Sequence, residues 1–286
     1  MPTATRPAQP TATRTPYRLL AIDMDGTALT SQKTVLPSTR EAIADLLATG
    51  VSVAFCTGRN PAEMREARAL FPPIRYGVLV SGALVYDFAE ERAISQTPLP
   101  QDLLLEAVEA GQAAGAGVHI LAASGSYMSA DTLDHPDRYH MGVYRPLFHS
   151  TCTSMDDPAA YVREKGLVAC KCNLYHPSAE ARALTRQHLE ALPLALADAE
   201  ATSLECTAAG VNKGQGLSDL VAHLGMSPTQ AVAIGDSYND LDALRTAGLS
   251  VAMGNATPEV KAACDLVVAD NDHDGIAEAI RRVFGV

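Results

Sequence analysis

The sequence predicts an α/β fold, a doubly wound parallel sheet interrupted by an inserted α+β cap. Three observations carry this. Short apolar, often β-branched runs alternate with segments of helical periodicity at both ends of the chain. The runs end on clusters of Asp, Gly, Thr or Ser, as buried parallel strands do where they deliver side chains to the carboxyl edge of a sheet. Between the two blocks the texture changes to alternating strands around two longer helices.

The first strand is read at 18–22, ending against Asp23. A helix follows over 36–48, with Ser38 and Glu41 spaced as a capping box and Gly50 as its stop. A second strand at 51–55 runs into Thr57-Gly58-Arg59, and Pro61 opens a helix over 61–70. A third strand at 78–80 closes on Ser81-Gly82. The same grammar resumes with a helix over 214–224, a strand at 231–234 ending in Gly235-Asp236, and a helix over 238–246. Strands at 249–253 and 266–268 flank a helix opened by Thr257-Pro258, and a last helix spans 275–284. The expected division is a tail over 1–16, a core made of 17–82 and 209–286, and a cap over 83–208. The cap helices are placed at 101–114 and 178–192. The run 167–175 alternates, sending Cys170, Cys172 and Leu174 to one face and Lys171, Asn173 and Tyr175 to the other.

Composition narrows the function classes. The chain has 286 residues, 47% hydrophobic and 19% charged, which suits one core with a sizeable insertion or two modest domains. A net charge of -11, from 33 acidic and 22 basic side chains, repels nucleic-acid phosphates, and no basic stripe offsets it. An acidic protein that binds a phosphate-bearing small molecule needs a divalent cation to invert the local field. The six cysteines show neither a CxxC pair nor a His at metal-ligand spacing, so free thiols in a reducing cytoplasm are expected. No apolar run is long enough to span a membrane, and no signal-peptide pattern opens the chain. Residues 1–16, rich in Thr, Ala, Pro and Arg, read as a disordered tail; their four prolines disfavour the helix of a transit peptide.

Chemistry concentrates at the strand ends. Asp23 and Asp25 sit where the chain leaves the first strand, and Gly26 lets backbone N–H groups face an anion; a turn capped by Asp25 is the plainer reading. Asp236 closes a later strand, with Asn239 and Asp240 next to it, and helix capping is its plainer role. If the sheet joins those strands, three carboxylates make a hard oxygen site suited to Mg²⁺. Thr57 and the Gly58 amide offer a phosphate cradle beside a helix start. Lys213 begins a helix, the wrong end of the dipole for a structural cation, and so implies an anionic partner.

The ordered set Asp23-x-Asp25-Gly26-Thr27, Thr57-Gly58-Arg59, Lys213 and Gly235-Asp236-x-x-Asn239-Asp240 resembles the haloacid dehalogenase superfamily of phosphatases. The insertion between the second and third elements resembles the Cof-type branch with its type II (C2B) cap. The resemblance implies that Asp23 is the nucleophile and a magnesium ligand. Asp25 would be general acid and then base, lending its carbonyl to the metal, with a neighbouring like charge raising its pKa. Thr57 and Gly58 would hold the phosphoryl group, and Lys213 would neutralise charge. Asp236 would bind Mg²⁺, Asp240 would support it, and Asn239 would orient substrate. Met24 joins the phosphate-binding set. Where the family commonly shows Asn-Gly-Ala, this chain has Ser81-Gly82-Ala83. Asn255 fits the family pattern, although a loop-closing Asn suits the position equally.

The cap is expected to select substrate through an inward polar face including His119, Lys171, Asn173 and Glu205, each weighed against an ordinary solvated strand position. The expected activity is Mg²⁺-dependent hydrolysis of a small phosphomonoester, such as a sugar phosphate, pyridoxal phosphate or FMN, by a cytoplasmic monomer or homodimer. A phosphomutase sharing the aspartyl-phosphate, or a non-catalytic binding protein on the same fold, are the alternatives.

Overall fold

The structure is a computed structural model describing residues 16–286. The tail expected over 1–16 lies, but for its last residue, outside the described residues.

The elements run in the anticipated order. The first block holds β1 (Leu19–Ile22), α1 (Pro37–Ala48), β2 (Ser52–Cys56), α2 (Met64–Arg68), β3 (Tyr76–Leu79), β4 (Leu84–Asp87) and β5 (Arg92–Gln96). The insertion holds α3 (Gln101–Ala113), β6 (Gly117–Ala122), β7 (Gly125–Ser129), α4 (Ala130–Asp134), α5 (Arg145–Thr151), β8 (Cys152–Met155), α6 (Pro158–Lys165), β9 (Lys171–Tyr175), α7 (Ala179–Leu189), β10 (Leu194–Ala199) and β11 (Ser203–Ala208). The chain then returns through α8 (Lys213–His223), β12 (Ala231–Gly235), α9 (Leu241–Thr246), β13 (Leu249–Ala252), α10 (Pro258–Ala262), β14 (Leu266–Val267) and α11 (Gly275–Phe284).

The core sheet has the order β14-β13-β12-β1-β2-β3-β4-β5 and is parallel from β14 to β3. Its central strands are buried on both faces. Leu20 and Ile22 of β1 join Val53, Phe55, Val232 and Ile234 under α1 and α11, while Leu19 and Ala21 join Ala54, Ala231 and Ala233 under α8 and α9. That two-sided burial is why these strands read as near-continuous apolar runs. Strand order reverses between β1 and β12, and at such a switch point the carboxyl ends open a crevice.

The cap sheet, β10-β11-β9-β6-β7-β8, is antiparallel except for the β7–β8 pair. Val118, Ile120, Cys172, Leu174, Leu204 and Cys206 pack with residues of α3, α6 and α7. The opposite parity carries Lys171, Asn173 and Tyr175 on β9, with His119 and Glu205 in register beside Asn173. His119 and Lys171 are 1% exposed and Asn173 7%, so these positions are enclosed, not solvated.

Several local expectations are corrected. The hairpin β4–β5 belongs to the core sheet, so the cap sheet begins after residue 96 and not at 83; its alternation is that of an antiparallel edge, which resembles the cap's texture. Ser38 and Glu41 form no capping box: α1 starts at Pro37, and the Ser38 hydroxyl donates to Asp274. The helix expected over 61–70 shrinks to α2, because Asn60 and Glu63 exchange side-chain and backbone hydrogen bonds in the turn before it. Cys170 precedes β9 and packs with the core-side cluster, apart from Cys172. All six cysteines are free.

Candidate active site

Asp23 and Asp236 meet because β1 and β12 are hydrogen-bonded neighbours to their ends, the Asp23 N–H donating to the Ile234 carbonyl at 3.0 Å. Two glycines permit the approach. A Cβ on Gly26, whose φ is +82°, would lie 2.4 Å from an Asp236 oxygen, and one on Gly235 would lie within 2.6 Å of the Asp240 carboxylate. The hydroxyl of Thr27 donates to Asp236 Oδ1 at 3.0 Å, and Asn255 Nδ2 donates to the Gly26 carbonyl at 2.8 Å, closing the loops on each other.

Asp23, Asp236 and Asp240 present carboxylate oxygens within 4.8 Å of one another. Lys213, the first residue of α8, inserts its ammonium between two of them, donating to Asp23 Oδ1 at 2.7 Å and to Asp240 Oδ1 at 2.6 Å. The other Asp240 oxygen accepts the N–H groups of Asp236 and Ser237, so Asp240 holds the loop and the lysine. Three carboxylates thus face one ammonium. Burial, reinforced by Asp240, pushes the Asp23 carboxyl up to about 8 against the opposing pull of Lys213. Burial and Asp240 also raise Asp236, to about 6. Lys213 is itself raised well above its usual value, because Asp23 and Asp240 together outweigh the effect of burial. A cluster of hard oxygens with uncompensated negative charge is the donor set that Mg²⁺ takes.

Asp25 departs from the expected picture. Its carboxylate turns away from the other three and is clamped by Arg59, at 2.8 Å and 2.9 Å from Nη2, and by Lys33 at 2.7 Å. Burial pushes its pKa up, but Arg59 and Lys33 outweigh that and hold it below the usual carboxylate range, so no like-charge elevation operates. In the sequence Arg59 stands out only as part of Thr57-Gly58-Arg59, and Lys33 belongs to no motif. The signal for Arg59 was its place two residues past Thr57; Lys33 sits in a turn with φ of +57° and gave none.

The remaining candidates fall on one cavity of about 370 Å³ between core and cap, whose lining includes Thr57, Gly58, Asn239, Lys171, Asn173 and Lys213. The side chain of Met24 is buried in the core, leaving only its backbone for the site. Lys171 reaches down from the cap to the Thr57-Gly58 turn, where a Cβ on Gly58 would come within 3.1 Å of its ammonium. It donates to Glu205 Oε1 at 3.0 Å and to Ser81 Oγ at 3.2 Å, and Ser81 donates to Glu205 Oε2 at 3.0 Å. Burial alone would raise Glu205, but Lys171 and Ser81 hold it low. His119, its pKa pushed down to about 3 by burial and by Lys171, is neutral.

Sequence reasoning also missed an aromatic wall. Phe148 stacks on Tyr144 and on Tyr175, each pair with ring centroids 6.0 Å apart, at interplanar angles of 27° and 24° respectively. Tyr144 and Phe148 are four apart, a helical spacing that was available as a signal.

A strand-end carboxylate cluster at the switch point, roofed by an inserted cap, fits the phosphoryl-transfer class that the motifs resemble, and comparison with known proteins agrees. Residues 20–280 match the model of the haloacid dehalogenase-like hydrolases (Hydrolase_3), and the chain belongs to that family, as its motifs indicated. It is similar to the pyridoxal phosphate phosphatase YbhA of Escherichia coli, 29% identical with 92% of this chain and 97% of that one covered. It is equally similar, at 29% identity, to an HMP-PP phosphatase of Serratia proteamaculans, with 86% of each chain covered. In fold it matches a haloacid dehalogenase-like hydrolase from Bacteroides thetaiotaomicron with a TM-score of 0.80 at 24% identity, over 94% of this chain and all of that one. The expected enzyme class, a phosphatase of the Cof-type branch, stands with these relatives. No helix among the described residues is long and apolar enough to cross a membrane.

Proposed function

We propose that this protein hydrolyses a small phosphomonoester, a phosphorylated cofactor or sugar phosphate, through an aspartyl-phosphate on Asp23, with Mg²⁺ as cofactor. The observation that carries the reading is the Lys213 ammonium held between Asp23 and Asp240 while Asp236 faces the same point from the neighbouring strand. Asp23 and Asp236 would hold the ion, and Asp240 would support them from behind; Mg²⁺ supplies neutralisation of charge on the transferring phosphoryl group. Lys213 fixes the Asp23 carboxylate and balances phosphate charge. Thr57 and the Gly58 N–H hold the phosphoryl oxygens from the neighbouring strand end. Asp25, which Arg59 and Lys33 hold ionised, would take the proton of the water attacking the aspartyl-phosphate, and it could protonate the leaving oxygen only once the bound phosphate has drawn those two cations away.

The deciding measurement is phosphate release from a panel of sugar phosphates, nucleotides and phosphorylated cofactors, with Mg²⁺ and with EDTA. Release that needs Mg²⁺, proceeds without a sugar-bisphosphate activator and disappears in Asp23→Asn is the expected result. Release needing the activator would make the protein a mutase, and none at all would leave a binding protein.

A further inference from the structure

The three clustered carboxylates are not held alike. Asp23 and Asp240 each accept a hydrogen bond from the Lys213 ammonium, at 2.7 Å and 2.6 Å. Asp236 pairs with no Lys, Arg or His among the described residues, and burial and the charges of Asp240 and Asp25 work against its ionised form. Its place beside Asp23 therefore depends on neutral donors. The Thr27 hydroxyl donates to Oδ1 at 3.0 Å, and Asn255 Nδ2 donates to Oδ2 at 3.4 Å, a long bond. With one donor on each oxygen the carboxylate cannot turn about its Cβ–Cγ bond without losing both, and each oxygen keeps a lone pair for an ion.

The Asn255 amide is itself fixed. Its Oδ1 accepts the Asn271 N–H at 3.2 Å, and its Nδ2 donates to the Gly26 carbonyl at 2.8 Å. The flipped amide would set N–H against N–H and oxygen against oxygen. One hydrogen of Nδ2 thus goes to Gly26 and the other to Asp236. Asn271 Nδ2 donates in turn to the Leu29 carbonyl at 2.9 Å, so the loops after β13 and β14 brace the loop that carries Asp25, Gly26 and Thr27. Asn255 is exposed, and water could meet its partners if it only closed a loop.

We propose that Asn255 is a positioning residue for the metal, acting through Asp236: it keeps that carboxylate turned to the point it shares with Asp23. This rests on the Mg²⁺ reading above and deepens it. Donors that orient a metal's carboxylate ligands set the affinity for the ion without touching it.

The test needs no substrate. The Kd of Mg²⁺ is read from the rise of the thermal unfolding midpoint over a Mg²⁺ titration of the full chain, starting from EDTA. Asn255→Leu keeps the bulk of the side chain and removes its donor, and should raise that Kd about tenfold or more while the midpoint in EDTA stays near the parent's. Asn255→Ser, whose hydroxyl is too short to reach Asp236, should do the same and serves if Asn255→Leu does not fold. Asn271→Ala gives up the bond to Leu29 but keeps the backbone N–H that orients Asn255, so its Kd should stay within about threefold of the parent's. A Kd unmoved by both Asn255 variants overturns the assignment, whether or not the midpoint in EDTA falls. An Asn271→Ala effect as large as theirs also overturns it, because the loss would then come from a loosened loop and not from Asp236. A parent whose midpoint Mg²⁺ does not move takes down the Mg²⁺ reading itself and this assignment with it.

Discussion

Two lysines are almost wholly buried in this protein, one in each region, and their surroundings differ. Lys213 of the core touches two carboxylates with a third nearby, an excess of negative charge that it does not balance. Lys171 of the cap meets one carboxylate and one hydroxyl, which also bond to each other, a closed and neutral set. The core site thus carries negative charge that its lysine does not balance and that a cation or a proton would relieve, whereas the cap pair is balanced and lines the cavity. The first arrangement suits chemistry, and the second suits recognition.

The largest expected effect breaks the core side of this contrast. Asp23→Asn keeps the shape of the site and removes the carboxylate proposed as nucleophile, so kcat should fall by about 10³-fold or more. Because it also removes one of three crowded carboxylates, the unfolding midpoint measured in EDTA should not drop. A variant that loses stability along with activity would show that Asp23 is structural.

Lys213→Ala should follow, costing about 10²-fold in kcat and, by stranding two buried carboxylates, about 3–5 kcal/mol of stability in denaturant titration. Lys171→Ala strands only Glu205, which retains the Ser81 hydroxyl, and its stability cost should be clearly smaller. Its mark should be an altered ranking of kcat/KM across phosphate esters. Equal stability losses in the two variants would erase the distinction between the lysines.

Acidity tests the same asymmetry more gently. Without a cation, Asp23 is raised to about 8 and Asp236 to about 6. A carboxyl whose folded pKa is raised lends stability below its unfolded value, and that stability is lost as pH rises through the folded value. The EDTA-treated protein should therefore lose stability from these two groups as pH rises from about 4 to about 8. Protons compete with the ion, so the Mg²⁺-induced gain in unfolding midpoint should be larger at pH 8 than at pH 6. A gain independent of pH would mean that the ion binds away from Asp23 and Asp236.

How much of this was legible in the sequence follows from the range of the interactions. Asp23, Thr57 and Asp236 each sit one residue past a strand, so a local apolar run places them at a sheet edge, and order along the chain does the rest. The inward face of β9 was equally legible, because alternation is a local property. What the sequence could not display is pairing. Arg59 and Lys33 set the state of Asp25 through contacts that depend on loop conformation, which reverses the expected direction of its pKa. The hairpin β4–β5 has a cap-like pattern and joins the core sheet only through its register with β3.

The smallest expected effect belongs to Ser81, where this chain departs from the family's usual asparagine. Its hydroxyl joins Lys171 to Glu205, but their direct bond of 3.0 Å does not need it, so Ser81→Ala should change kcat/KM by less than about threefold. The backbone there has a φ of +58°, which asparagine tolerates better than most residues. Ser81→Asn should accordingly fold at least as well as the parent while pushing an amide into the Lys171–Glu205 pair. If that substitution shifts the preference among esters and Ser81→Ala does not, the cap pair is a sterically tuned wall. If Ser81→Ala alone abolishes turnover, the hydroxyl touches the substrate, and the cap set is as open to a ligand as the core one.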